Sequence, residues 1–300
     1  MKILLIGGSG QLGQELLSWR GNNQFQIFSP SSKELNISNK ENLEKFIHHI
    51  EPDIVLNFSA YTNVDQAEIN YDDCLEVNYE SVINLVEILN NSDLPLIHVS
   101  TDYVFGKYGE GPYSFDDKLG AINKYGITKL KGENEIKKSS NKAIIIRTAS
   151  LYGEFGKNYF KTFISLLSDK KELEVISNQK ISVTWSKDLV KVIFELLNNI
   201  KNTKEWKNHK GVEILHLVNE GYTSWYEVAE NLANLMNQAS KGKFFYQVKP
   251  ILAKDWHVKT PRPNDSRLKF YGTIQNLCDL KMPDWTDSLR KAFELFVKNN

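Results

Sequence analysis

The chain has 300 residues, 41% hydrophobic and 25% charged, the proportions of an ordinary globular protein. At this length about three-quarters of the unfolded surface can be buried, so no metal or disulfide is required to hold a core together. Lys plus Arg and Asp plus Glu both number 37, and zero net charge excludes a general nucleic-acid or anionic-membrane footprint. Cys74 and Cys278 lie far apart and read as structural thiols. Six histidines are scattered with no metal spacing, so no metal site is expected; His48 and His49 read as surface residues and His98 as core. Trp206, Trp225, Trp256 and Trp285 read as packing residues. The N-terminus lacks the long apolar run of a signal peptide, and no window approaches the ~20 apolar residues of a membrane span. A cytoplasmic location with no membrane partner is the expectation.

In chain order, short apolar runs at 2–6, 24–28, 53–58, 94–99 and 143–147 predict strands. Between them lie helical stripes, among them Leu43, Phe46, Ile47 and Ile50, with Ser38 and Glu41 spaced as a capping box. A second stripe is Val82, Leu85, Val86 and Leu89. Repeated β-α-β units of this size imply a Rossmann-type doubly wound parallel sheet over residues 1–150. Helices are expected near 159–167, 189–197, 225–236 and 289–297, with a surface loop at 201–211. Leu215, Leu217 and Val218 can add one more strand, so residues 186–218 complete the first domain. Residues 151–300 then form a smaller α/β lobe interleaved with it. Pro250, Pro261, Pro263 and Pro283 make the last hundred residues loop-rich, which suits a lobe that covers substrate.

Three clusters carry chemistry. Gly7, Gly10 and Gly13 stand between the first strand and a helix beginning near Gln11 and Leu12, where glycine lets backbone amides approach a pyrophosphate. Ser100, Thr101, Asp102, Tyr103, Val104, Phe105 and Gly106 follow a strand, at the edge where such sheets bind ligands. Tyr125 and Lys129 share one helical face, so an ammonium can lie beside a phenol and lower its pKa together with an oxidised nicotinamide. A phenol so poised can give a proton to a carbonyl oxygen as hydride arrives. After the second strand, Phe28-Ser29-Pro30-Ser31-Ser32-Lys33 holds no acid for a ribose 2′-hydroxyl; Ser32 and Lys33 suit a 2′-phosphate, so NADPH is the expected cofactor, with NADH as the alternative.

In order and spacing these motifs resemble the dTDP-4-dehydrorhamnose reductase family of extended short-chain dehydrogenases/reductases. The likeness spans nearly the whole chain: Asn57 to Glu68, Val77-Asn78, Ser100 to Phe105, Ile146-Arg147-Thr148, Asn158 to Thr162, His216-Leu217-Val218, Thr223 to Glu227 and Arg262 to Leu268. The resemblance implies a nucleotide-sugar substrate, with Thr101, Tyr125 and Lys129 as a catalytic trio. Thr101 would bond the substrate carbonyl, Tyr125 would act as acid, Lys129 would hold the nicotinamide ribose, and Asp102 would assist orientation or proton supply. Ser59, Ala60 and Tyr61 would line the cofactor site; Val104, Phe105, Asn158, Arg262 and Ser266 would meet the sugar nucleotide. Four positions depart from the family pattern. Ser150 stands in place of a Trp, Ile181-Ser182-Val183-Thr184 replaces Gly-x-Pro-Thr, Phe115 replaces a Glu, and Ala121 replaces a Pro.

The residues leave two other readings open. A related epimerase or dehydratase is one, although Tyr103 stands where dehydratases place a Glu after the Thr-Asp pair. A non-catalytic nucleotide-binding regulatory subunit is the other. A two-fold homodimer is the expected assembly, C₂ being the commonest symmetry.

Overall fold

The computed structural model describes residues 1–19, 24–139, 142–203, 206, 209–256, 260–274 and 278–299. Its centre is a six-stranded parallel sheet, made of β1 (Lys2–Ile6), β2 (Gln26–Phe28), β3 (Ile54–Asn57), β4 (Leu96–Thr101), β5 (Ala143–Thr148) and the later strand Val212–His216. The spatial order is Val212–His216, β5, β4, β3, β1, β2. The chain leaves β1 for β2 on one side and then returns to place β3 on the other. That reversal opens a crevice at the carboxyl ends of β1 and β3, the place where doubly wound sheets hold ligands.

Strand side chains alternate between two cores because the pleat has a period of two. Ile3, Leu5, Ile54, Leu56, Ile97, Ile144 and Ile146 face the helices Gln11–Ser18 (α1) and Ser186–Asn202. Leu4, Ile6, Val55, Leu96, Ala143 and Ile145 face the other way. There they meet Lys40–Ile50 (α2), Ser81–Ser92 and the helix Lys124–Lys138. With both faces covered, the strands read as near-continuous apolar runs.

The stripe of α2 buries Leu43 and Ile47, but its cap is Asn39 and not Ser38: the Asn39 side chain accepts from Asn42 N. Asn competes with Ser on equal terms at this position, and here it sits one residue closer to the helix. The stretch at 201–211 also differs from a plain surface loop. Residues 201 and 202 finish the long helix, and Trp206 is buried on the core; residues 204, 205, 207 and 208 lie outside the described residues. Trp285 is buried and Trp225 half-buried, whereas Trp256 is 45% exposed and packs little. His48 and His49 are exposed.

The remaining segments build a second core around Phe160, Leu167, Trp185, Leu232 and Phe293. It holds the helices Tyr159–Lys170, Trp225–Ser240 and Trp285–Asn299, and the parallel pair Glu172–Ile176 with Gln247–Ile251, so Pro250 lies in a strand. Ser224 and Glu227 form a reciprocal capping box that starts Trp225–Ser240. Among the described residues no helix is long and apolar enough to cross a membrane.

Candidate active site

The glycine turn follows β1 directly. Gly7 has φ +89°, a conformation side chains resist, and a Cβ there would lie 2.5 Å from Ser59 N at the end of β3. A Cβ on Gly13 would lie 2.3 Å from Gly7 O, so α1 can pack on the turn only without one. Gly10 caps α1 with no side-chain hydrogen bond, and the first amides of the helix are free for an anion. Gly7, Gly10, Gln11, Leu12, Ser59 and Ala60 line a cleft of about 810 Å³ that runs to Thr101, Asp102, Tyr125 and Lys129. Its size, glycine turn and bare helix N-terminus fit a dinucleotide. Gly7→Ala is expected to destabilise the fold by about 1–3 kcal/mol through overpacking and strain. It should also weaken nicotinamide-nucleotide binding at least tenfold by fluorescence titration, and an unchanged affinity would remove the turn from the cofactor site.

The catalytic candidates meet at the end of β4. Thr101 Oγ1 donates to Asp102 Oδ1 (3.0 Å) and accepts from Tyr103 N (3.2 Å), and the Tyr125 phenol lies within hydrogen-bonding reach of Thr101. Burial pushes the Asp102 carboxyl up to about 6, against hydrogen bonds from Ser266, Thr101 and backbone amides. Burial also pushes the Tyr125 phenol above its ordinary value, so it keeps its proton. This reverses the lowering expected from Lys129. The Lys129 amino group is engaged by β4 instead: Nζ donates to Val99 O (2.8 Å) and lies 3.3 Å from His98 Nε2. Burial lowers the Lys129 pKa to about 8, against the charges of Glu133 and Cys74.

Several expected contacts lie elsewhere. Val104 and Phe105, expected to touch substrate, are fully buried and do not line the cleft; Phe105 stacks on Tyr113 (4.4 Å between centroids). Asn158 is occupied as the cap of Tyr159–Lys170, accepting from Lys161 N and donating to Gly153 O and Gln11 Oε1. Arg262 spends its guanidinium on Asp65 (3.0 Å), and Ser266 stands behind Asp102. Lys33 is exposed outside the cleft, whereas Ser32 lines it. Tyr61 is fixed through its backbone, which exchanges two hydrogen bonds with the Asn78 side chain. Asn78 itself sits in a π-helical turn, Glu76–Glu80, a distortion often found at functional sites.

Beneath the site lies a pair the motifs did not single out. Arg147 and Glu133 are both fully buried, joined by Nη2–Oε2 (2.8 Å) and Nε–Oε1 (3.0 Å). Arg147 Nη1 also donates to Phe115 O and lies 3.2 Å from His216 Nε2. An Arg in the middle of an apolar strand is the signal that could have found it, since such a charge must be paired. Of the four departures, Ser150 lines the cleft with φ +43°, Val183 is buried in the second core, Phe115 stacks on Tyr271 (4.1 Å), and Ala121 is half-buried.

The parallel sheet, the glycine turn and the cleft at the carboxyl ends of β1 and β3 define a doubly wound, dinucleotide-binding class of protein. Residues 1–297 match the family described as RmlD substrate binding domain, and the chain belongs to that family. A dTDP-4-dehydrorhamnose reductase of Escherichia coli (strain K12) is 31% identical, over 99% of this chain and 99% of its own. The crystal structure of a dTDP-4-dehydrorhamnose reductase from Clostridium acetobutylicum superposes with a TM-score of 0.88 at 29% identity, covering 99% of this chain and 100% of that one. The enzyme of the same name from Bacillus anthracis, solved in complex with NADP, gives 0.87 at 28% identity, covering 98% and 99%.

Proposed function

We propose that the protein reduces the 4-keto group of a nucleotide-linked 6-deoxy sugar with NADPH, converting dTDP-4-dehydro-L-rhamnose to dTDP-L-rhamnose. The observation that carries this reading is that Thr101, Asp102, Tyr125 and Lys129 line one cleft together with the glycine turn. Its dTDP-4-dehydrorhamnose reductase relatives support the substrate, and the NADP complex of the Bacillus anthracis enzyme supports the cofactor.

The glycine turn and the first amides of α1 would hold the cofactor pyrophosphate, and Ser59 and Ala60 would flank it. Bound there, NADPH supplies the hydride for the sugar C4. Thr101 would orient the carbonyl oxygen by turning its hydroxyl hydrogen from Asp102 to that oxygen. Tyr125, neutral because it is buried, would give its proton to that oxygen as negative charge develops. Lys129 would meet the ribose hydroxyls. Residues 151–300, less the helix and strand returned to the sheet, would cover the sugar nucleotide, with Ser150, Lys157 and Trp225 at the cleft wall. Ser266 would act through Asp102. Arg262 would join the diphosphate by leaving Asp65, its planar fork being suited to paired oxygens.

NADPH preference rests on Ser32 at the cleft and on Glu34, whose carboxylate is already committed to the Ser31 amide and hydroxyl (both 2.8 Å). The test follows NADPH oxidation with enzymatically generated dTDP-4-dehydro-L-rhamnose and identifies the product by NMR. Turnover to dTDP-L-rhamnose is expected, with kcat/KM for NADPH at least tenfold above that for NADH. No turnover by a protein that binds NADPH would sink the substrate assignment, and equal efficiency with NADH would sink the preference.

A further inference from the structure

Three buried polar side chains run from the cofactor cleft into the sheet: Asn57 at the end of β3, His98 in β4 and Lys129 on the helix Lys124–Lys138. They are 1%, 1% and 2% exposed. The first fixes its own orientation. Asn57 Oδ1 receives both Ser59 N (3.1 Å) and Ser59 Oγ (2.6 Å), and a backbone amide can only donate. The Asn57 amide nitrogen is therefore the atom that faces His98 Nδ1 at 3.2 Å. A donor on that side requires an unprotonated Nδ1, so the neutral ring carries its hydrogen on Nε2. Burial, with Lys129 nearby, keeps this ring neutral by pushing its pKa well below the ordinary value.

The hydrogen on Nε2 points at Lys129 Nζ, 3.3 Å away. An ammonium has three hydrogens and no lone pair, so it would face that N–H donor to donor, with Val99 O as its acceptor on β4. A neutral amine resolves the conflict, accepting from Nε2 while still donating to Val99 O. We propose that His98, fixed as the Nε2–H tautomer by Asn57, is a positioning residue that weakens the hold of Lys129 on its proton until the ribose hydroxyls of a bound cofactor supply new acceptors. The inference rests on the cofactor reading above.

The groups that face Lys129 agree with this. Cys74 on the neighbouring helix Tyr71–Leu75 is a buried thiol whose pKa is itself raised by burial. Tyr125, one turn back on the same helix, is neutral. Glu133, one turn on, is the carboxylate that acts on Lys129, and it is committed to Arg147 from β5. Ser59, which lines the cleft, is the outer end of the same chain of contacts.

The test uses the full-length, ligand-free protein labelled with ¹⁵N-histidine and ¹³C-lysine. His98 is assigned by the signal lost in His98→Asn. The expected His98 spectrum has a pyrrole-like Nε2 and a pyridine-like Nδ1, and the opposite pattern overturns the proposal. In His98→Asn the new side-chain oxygen can still accept from Asn57, while the ring Nε2–H that faces Lys129 is removed. The Lys129 titration midpoint is expected to rise by about one pH unit, tenfold in proton affinity. An unmoved midpoint in a folded variant overturns the coupling. Calorimetry of NADPH binding near pH 9, in two buffers of different ionisation enthalpy, should show uptake approaching about one proton per site, and less in His98→Asn. Absence of NADPH binding would count against the cofactor reading, while the ligand-free spectra would still decide the tautomer and its effect on Lys129.

Discussion

Tyr125→Phe is expected to lower turnover by about 10²-fold or more, the usual loss when a positioned general acid is removed. The phenol is the hydroxyl within reach of Thr101 at the end of β4, and burial keeps it protonated through the neutral range. Phenylalanine preserves the ring, including its edge-on contact with Tyr103 (6.0 Å), so the fold should be retained. Cofactor affinity, read by fluorescence titration, should change by no more than a few-fold, because the loss falls on the chemical step. Steady-state rates with the keto-sugar decide it. An unchanged rate would remove Tyr125 from the role of acid, and an equal fall in NADPH affinity would recast it as a binding residue.

Cutting the Arg147–Glu133 pair should produce the largest loss of stability. Removing one member of a fully buried ion pair leaves the other charge uncompensated, at a cost of about 3–5 kcal/mol. Arg147→Met and Glu133→Gln should each lower the urea midpoint accordingly. The double variant should lose less than the sum of the two, because it leaves no orphaned charge. Additive losses would show that the two residues do not act as a pair. Acid sensitivity follows from the same contact. Burial alone would raise the Glu133 carboxyl, but Arg147, with help from Lys137, outweighs it and holds the group down to about 2. Its folded pKa is below the unfolded one, so the contribution is present above about pH 4.5 and is lost as pH falls toward 2. Glu133→Gln should flatten that part of the stability profile. Since Arg147 pairs in register with Ser100 on β4, the damage would also reach the floor of the site.

The parallel sheet and the glycine turn were legible in the sequence because they depend on local patterning. Apolar runs of strand length, helical stripes and glycines at fixed offsets each carry their meaning within a few residues. The capping of α2 was misplaced by one position because Ser38 and Asn39 both favour a helix start, and only the path of the chain selects between them. The partners of polar side chains were less legible. Asn158 and Arg262 look like ligand contacts in a motif, yet one is a helix cap and the other pairs with Asp65, more than a hundred residues away in sequence. Lys129 shares a helical face with Tyr125, as spacing requires, but β4 supplies nearer partners in Val99 O and His98 that spacing within one helix cannot reveal. Val104 and Phe105 belong to a recognisable run, and the turn after β4 directs them into the interior.

β4 carries two alphabets in alternation. Ile97 and Val99 meet the apolar face under α1, while His98 and Ser100 turn toward the helix that bears Lys129 and Glu133. Deleting or inserting a single residue would exchange the two sets, placing an imidazole and a hydroxyl in hydrocarbon and isoleucine and valine beside the lysine. The strand thus behaves like a reading frame, tolerant of spelling changes and intolerant of shifts. Variation in this part of the site is expected to arise by substitution within a strand of constant length, while insertions collect in the loops beyond its ends.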